Sequence, residues 1–338
     1  MLAIEISKPG PPDVLHAVER PIPVPQADEI VIRVAAAGVA RADLLQRQGH
    51  YPPPKGASDI PGLDVAGTVY AIGSAVQGRK VGDAVCAILT GGGYAEYCAV
   101  PSVQALPIPD GWSFVEAATL PENLFTVYDN VVTRGGLQAG ETILIHGGSS
   151  GIGTMAIMVA LALEAHPIVT AGTAEKCVAC LQLGAEHAIN YKETDFVEEV
   201  HKLTLGRGVD LVLDMVGGDY LDRNLDALAA DGRLVIIAMQ KGRTATLDIG
   251  KLMLKRLRVI GSTMRARPSE AKGRVASGLL RDIWPLLPAK NHIRPVIDST
   301  FPLKDARLAH ARMESGGNVG KIVLVADGME GLLQQRQP

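Results

Sequence analysis

The sequence predicts an α/β chain: a doubly wound parallel sheet joined to a β-rich barrel. Three observations predict it. The stretch Thr142-Ile143-Leu144-Ile145-His146 is a short apolar strand. It runs into the glycine-rich turn Gly147–Gly153, which opens the apolar helix beginning Met155-Ala156-Ile157. From about residue 121 to 265, strand and helix signals alternate. Before that, the signals are strands alone, punctuated by Pro9-Gly10-Pro11-Pro12, Pro52-Pro53-Pro54 and Gly91-Gly92-Gly93. A chain of 338 residues accommodates two domains of ordinary size.

In the first part, β-branched content predicts strands over 30–34, 67–72, 81–86 and 94–100. In the second, strands are expected at 142–146, 167–170, 187–190, 209–214, 233–238 and 258–261. Helices are expected near 153–164, 174–183, 195–204 and 219–229. A helix near 269–287, strands at 294–297 and 321–325, and a helix near 304–314 complete the chain. The tail is expected to rejoin the first domain. The division is therefore 1–121 with 266–338, around a nucleotide domain at 122–265.

Composition excludes several classes. A net charge of −3 gives no electrostatic case for nucleic acid or an anionic membrane. No apolar run is long enough to span a bilayer, and Glu5 and Lys8 interrupt the first apolar stretch, unlike a secretory leader. Four cysteines are too few and scattered for a disulfide framework, so a cytoplasmic setting is expected. Cys177 and Cys180 form a CxxC on an expected helix with no second pair nearby, which reads as helix packing.

The turn departs from GxGxxG: the middle position is Ser150, and glycines stand at 148, 151 and 153. Dinucleotide sites that bind a ribose 2′-OH place an acid at the tip of the second strand. Here that strand ends Val169-Thr170-Ala171-Gly172-Thr173, with no acid, and Lys176 follows. The coenzyme expected is NADPH, contacted by Ser149, Ser150, Gly151, Ile152, Gly172, Thr173, Lys176 and Tyr191. Ala238, Met239 and Thr263 follow later strands, at the carboxyl edge where such sheets bind ligands. A short-chain dehydrogenase reading fails because Tyr51 and Lys55, the one Tyr-x-x-x-Lys pair, enclose three prolines and cannot share a helix.

The segments Ala37–Gly49, Tyr51–Pro54, Pro61–Gly67, Pro121–Tyr128 and Gly316–Leu324 occur in order along nearly the whole chain. Together they resemble the medium-chain dehydrogenase/reductase superfamily, in its zinc-free NADPH:quinone oxidoreductase (zeta-crystallin-like) branch. The resemblance implies a GroES-like barrel, a Rossmann domain, a homodimer joined at a sheet edge (Arg233–Met239 or Leu257–Thr263) and hydride transfer in a cleft. Zinc-bearing members carry a cysteine where this chain has Ala40, and Gly-His-Glu where it has Gly62-Leu63-Asp64. Alanine and leucine side chains cannot ligate zinc, so no metal is expected. Quinone reductases of the branch often have asparagine at the position of Ala40. The resemblance places Tyr51, Ala40 and Thr126 toward the substrate, and Asn123, Thr126, Asn318 and Lys321 toward the coenzyme. His50 is the histidine nearest that pocket, and His146 reads as structural. The substrate implied is a quinone. An activated alkene (an enone or alkenal), or coenzyme binding without turnover as in a sensor or crystallin, stay open beside it.

Overall fold

The computed structural model describes residues 1–287, 293–326 and Gly328. It divides into two compact units. The first is built from Met1–Phe125 with the described tail from Met264 onward save Ile293 and Arg294, the second from Thr126–Thr263 with those two residues. The last residues of the expected barrel span lie outside the described residues.

In the first unit, β1 (Leu2–Ile6) and β2 (Leu15–Glu19) form an antiparallel pair. β3 (Glu29–Val39) is long and buried nearly throughout, and is followed by α1 (Arg41–Arg47). β4 (Asp64–Ile72), β5 (Ala84–Ile88), β6 (Tyr97–Pro101) and β7 (Ala105–Pro107) come next, then α2 (Phe114–Ala117) and α3 (Leu120–Val127). Strand β5 begins after Val81, not at it. Val81 and Gly82 form a turn in which Asp83 accepts from the Lys80 amide at 2.9 Å, and Val81 is exposed.

The second unit alternates β8 (Thr142–His146), α4 (Gly151–Ala162), β9 (His166–Ala171), α5 (Ala174–Gln182), β10 (His187–Asn190), α6 (Phe196–Leu203), β11 (Val209–Asp214), α7 (Tyr220–Ala227), β12 (Leu228–Ile236), α8 (Ile249–Leu254) and β13 (Arg258–Gly261). Its sheet is parallel throughout, ordered β10-β9-β8-β11-β12-β13. This is the 3-2-1-4-5-6 arrangement of a Rossmann fold, whose order reverses between β8 and β11. The central strand β11 is buried at every position, and the middle of α4 is buried as well, as an all-round apolar helix must be. At the surface, α6 buries only its Phe196 and Val200 face, and Asp195 caps it by accepting from the Val197 amide at 2.8 Å.

The tail returns to the first unit through α9 (Ser269–Asp282), β14 (Ile297–Pro302), α10 (Ala306–Glu314) and β15 (Lys321–Val325). The strand expected at 294–297 starts at Ile297, where pairing with Lys321 begins. The barrel sheet runs β14-β15-β3-β4-β5-β7, with β6 also on β3. Ile30, Ile32, Val65, Leu89, Tyr94, Ile322 and Leu324 lie in its core. The resulting α/β architecture is the one the sequence predicts.

Candidate functional site

In the second unit the turn after β8 is built for a close approach. A Cβ at Gly153 would stand 2.2 Å from the Gly147 carbonyl oxygen, so only glycine lets α4 start this near the strand. Ser150 caps the helix, its Oγ accepting from the Gly153 amide at 3.0 Å. The amides of Gly151 and Ile152 lie in the first turn and have no carbonyl four residues back in the helix. They add to the positive dipole end. Ser149 is buried beside them. The turn lies at the switch point of the sheet, with Met215 beyond β11 touching it: its Sδ is 3.8 Å from Ser150 Oγ.

A second group of expected residues comes together at the tips of β9 and β10. Tyr191 follows β10, and its hydroxyl would be 2.9 Å from a Cβ placed on Gly172. Thr173 caps α5, accepting from the Lys176 amide at 3.3 Å. Lys176 is half-buried and Tyr191 partly exposed. No acid stands on the tip of β9 itself. Glu175, one helical position on, is fully exposed. Hydrogen bonds from its own amide and from the Thr173 hydroxyl hold its carboxyl below the usual range.

Beyond β11 and β12, Gly217 packs against the Ala238–Met239 backbone, and the Lys241 amide donates to Val216 O at 2.8 Å. Met239 is half exposed there. Thr126 lies inside α3. Its carbonyl accepts from Asn130 Nδ2 at 2.8 Å, and Asn130 Oδ1 accepts from Ser262 Oγ at 2.6 Å, which brings Thr126 near the strand end that carries Thr263. His146 is fully buried between Thr170 (3.0 Å) and Asn224 (2.7 Å). Burial keeps its imidazole pKa low, in a structural position.

In the first unit, Ala40 is buried. Its amide donates to Asp43 Oδ2 at 2.8 Å, and Gly62 donates to Oδ1 at 3.2 Å. Asp43 thus ties together the backbones at Ala40 and Gly62. Burial pushes its carboxyl up to about 6, against the pull of these amides. Tyr94 Oη donates to Asp43 at 3.2 Å and lies 3.0 Å from His310 Nε2. His310 Nδ1 lies 3.2 Å from Arg47 Nη1, and Arg47 also pairs with Glu314. Arginine only donates, so His310 Nδ1 accepts and its Nε2–H points to Tyr94. The chain of bonds runs one way, from Arg47 to Asp43. Sequence reading missed it because its members are 263 and 216 residues apart.

The ring of Tyr51 lies under the Arg265 guanidinium, 5.2 Å from centroid to Cζ. Asn123 is buried. Its Nδ2 donates to Thr119 O at 3.0 Å, while its Oδ1 is a buried acceptor without a partner. Lys321 is committed internally: Nζ sits 2.7 Å from Asp64 and 3.0 Å from Glu122. Burial disfavours its charge, but the two carboxylates outweigh that and hold it protonated. Asn318 spans its own turn, donating to Gly320 O at 3.1 Å. Among the described residues no three His, Cys, Asp or Glu side chains converge as a metal would require. The four cysteines are buried and free.

Two family models match the chain: an alcohol dehydrogenase GroES-like domain over residues 26–110 and a zinc-binding dehydrogenase over 151–277. A quinone oxidoreductase of Lama guanicoe is 31% identical, covering 96% of this chain and 97% of its own. The crystal structure of Escherichia coli quinone oxidoreductase complexed with NADPH superposes with a TM-score of 0.83 at 32% identity, covering 96% and 100%. An NAD-dependent alcohol dehydrogenase superposes with a TM-score of 0.82 at 29% identity, covering 96% and 99%. The fold and the sequence together define an oxidoreductase of the medium-chain dehydrogenase/reductase superfamily. Within it, the chain belongs to the quinone oxidoreductase branch.

Proposed function

We propose that this chain is an NADPH-dependent quinone oxidoreductase that works without zinc. The observation carrying the coenzyme choice is the corner at Gly172, Thr173 and Tyr191. Neutral groups and the nearby Lys176 stand where a 2′-OH site would place an acid at the strand tip. The related E. coli enzyme is complexed with NADPH, which supports the same reading.

When bound, NADPH supplies the hydride. The protein supplies position. The amides of Gly151 and Ile152 and the dipole of α4 hold the pyrophosphate. Lys176, Thr173 and Tyr191 receive the 2′-phosphate. The unpartnered Oδ1 of Asn123 suits an amide donor such as the nicotinamide carboxamide. Tyr51, its ring fixed by Arg265, offers a flat face to a planar quinone. Ala40 contributes packing and no polar group, so the one proton that, with the hydride, completes the quinol would come from water. Because Ala40 and Leu63 carry no donor atoms, the reaction proposed is one of proximity and orientation. Buried free thiols suit a reducing, cytoplasmic setting. Among the described residues no helix is long and apolar enough to cross a membrane.

The test is a pair of titrations and a pair of assays. NADPH is expected to bind at least tenfold more tightly than NADH, and 1,4-benzoquinone to be reduced faster than an alkenal. Tighter NADH binding would overturn the coenzyme assignment. Faster alkenal reduction would overturn the substrate assignment.

A further inference from the structure

Buried cations in proteins are held by counter-charges, because burial of an unpaired charge is costly. Three of the buried cations here obey this. Arg47 pairs with Glu314, Arg233 with Glu141, and Lys321 with Asp64. Arg265 and Lys272 do not. Arg265 is 4% exposed and Lys272 1%. Arg265 donates only to neutral oxygens: Thr90 O at 2.9 Å, Tyr51 O at 3.2 Å and the side chain of Gln46. Lys272 Nζ donates to Thr90 Oγ1 at 2.7 Å. Both cations therefore meet on one residue, with no carboxylate bonded to either. Asp43 acts on Arg265 only through space. Burial, then the adjacent guanidinium, pushes the Lys272 ammonium down to about 8.

Thr90 and Arg265 line a cavity of 630 Å³ in the first unit, bordered also by Lys55, Ser58 and Gln104. Two acids line it, and both are engaged. Asp59 pairs with Arg20 at 3.0 Å, and Glu29 accepts from the Gln26 amide at 2.9 Å. Open space thus adjoins Arg265, a desolvated positive charge with no carboxylate bonded to it, and Thr90, whose hydroxyl holds the second buried cation, Lys272.

We propose that this cavity is a binding site for a small oxyanion, a phosphate or carboxylate group on a small molecule, with Arg265 supplying its counter-charge and Lys272, bonded to the lining residue Thr90, adding to the positive field. The cavity is lined by residues of the first unit alone, whereas the coenzyme turn belongs to the second. Arg265 also carries the Tyr51 ring, so occupancy is expected to alter the Michaelis constant for quinone.

The experiment uses the full chain presaturated with NADP⁺, so that the coenzyme's own phosphate sites are filled. That first step reports on the coenzyme proposal separately. Inorganic phosphate and succinate are then titrated in parallel against sodium chloride of matched ionic strength, read by calorimetry and thermal midpoint. Saturable binding of phosphate or of succinate, at least tenfold weaker in Lys272→Met, supports the proposal and identifies the oxyanion. Lys272→Met itself is expected to melt no lower than the parent, since it removes a buried charge with no partner. Saturation by neither anion overturns the proposal. So does a Lys272→Met variant that binds as the parent does. A variant that melts well below the parent also overturns it, since Lys272 would then be a structural tie to Thr90.

Discussion

Asp64, Glu122 and Lys321 show how much one residue can carry. Lys321 is 3% exposed and pairs with two carboxylates drawn from distant parts of the sequence. Removing it by Lys321→Met leaves Asp64 buried without a counter-charge. A loss of about 3–5 kcal/mol is expected, measured by denaturant unfolding of the first unit's signal. Glu175 works in the opposite sense. Its exposed carboxylate stands at the start of α5, beside the residues proposed to receive a 2′-phosphate. Glu175→Gln should tighten NADPH several-fold at low salt and leave NADH nearly unchanged, as fluorescence titration would show. An equal change for both coenzymes would place the phosphate elsewhere. The glycine turn and the missing acid on β9 were legible because they are local in sequence. The Lys321 cluster was not: a lysine beside a turn carries no mark of a partner 199 residues away.

At the scale of elements, α1 and α10 are tied by the bonds from Arg47 and Glu314 through His310 and Tyr94 to Asp43. The two titratable members respond to acid with opposite signs. Burial raises the folded-state pKa of Asp43 to about 6. The stability it contributes is present below the unfolded value near 3.8 and lost as pH rises through 6. Burial, then Arg47, depresses His310 to about 3. Its contribution is present above the unfolded value near 6.5 and lost as pH falls toward 3. Thermal midpoints across pH 4–6 should therefore fall less with acid in His310→Gln than in the parent. In Asp43→Asn they should fall more, because the compensating gain is gone. The reverse order would refute the assigned directions. The alternating strands and helices of the second unit were readable from periodicity. The β1–β2 pair was not, since two short strands separated by Pro9-Gly10-Pro11-Pro12 look like loop. Residues 128–134 wind as a π-helix, a variation that apolar spacing does not encode.

At the scale of the molecule, the sheet of the second unit ends at β13, and β12 lies inside it between β11 and β13. Of the two segments considered for an edge contact, only Leu257–Thr263 is free to serve. Beside it α8 buries none of its residues, and Ile249, Met253, Leu254 and Val259 are exposed apolar groups at 63%, 70%, 83% and 39%. We propose that two copies pair across this edge. Light scattering should report a dimer for the parent and a monomer for Leu254→Asp with Val259→Lys, with coenzyme binding retained. A monomeric parent would refute the pairing.

The discontinuity of the barrel has a consequence for biosynthesis. β3, encoded near the start, takes β15 as one neighbour, and all five residues of that late strand are buried. On the ribosome the first 125 residues lack this neighbour until Lys321–Val325 have emerged, after the whole Rossmann unit. The Rossmann unit has its whole sheet in hand well before then. Pulse-chase proteolysis of nascent chains should find that unit protease-resistant while the amino-terminal segment is still cleavable, and nascent β3 is where a holding chaperone would be needed most.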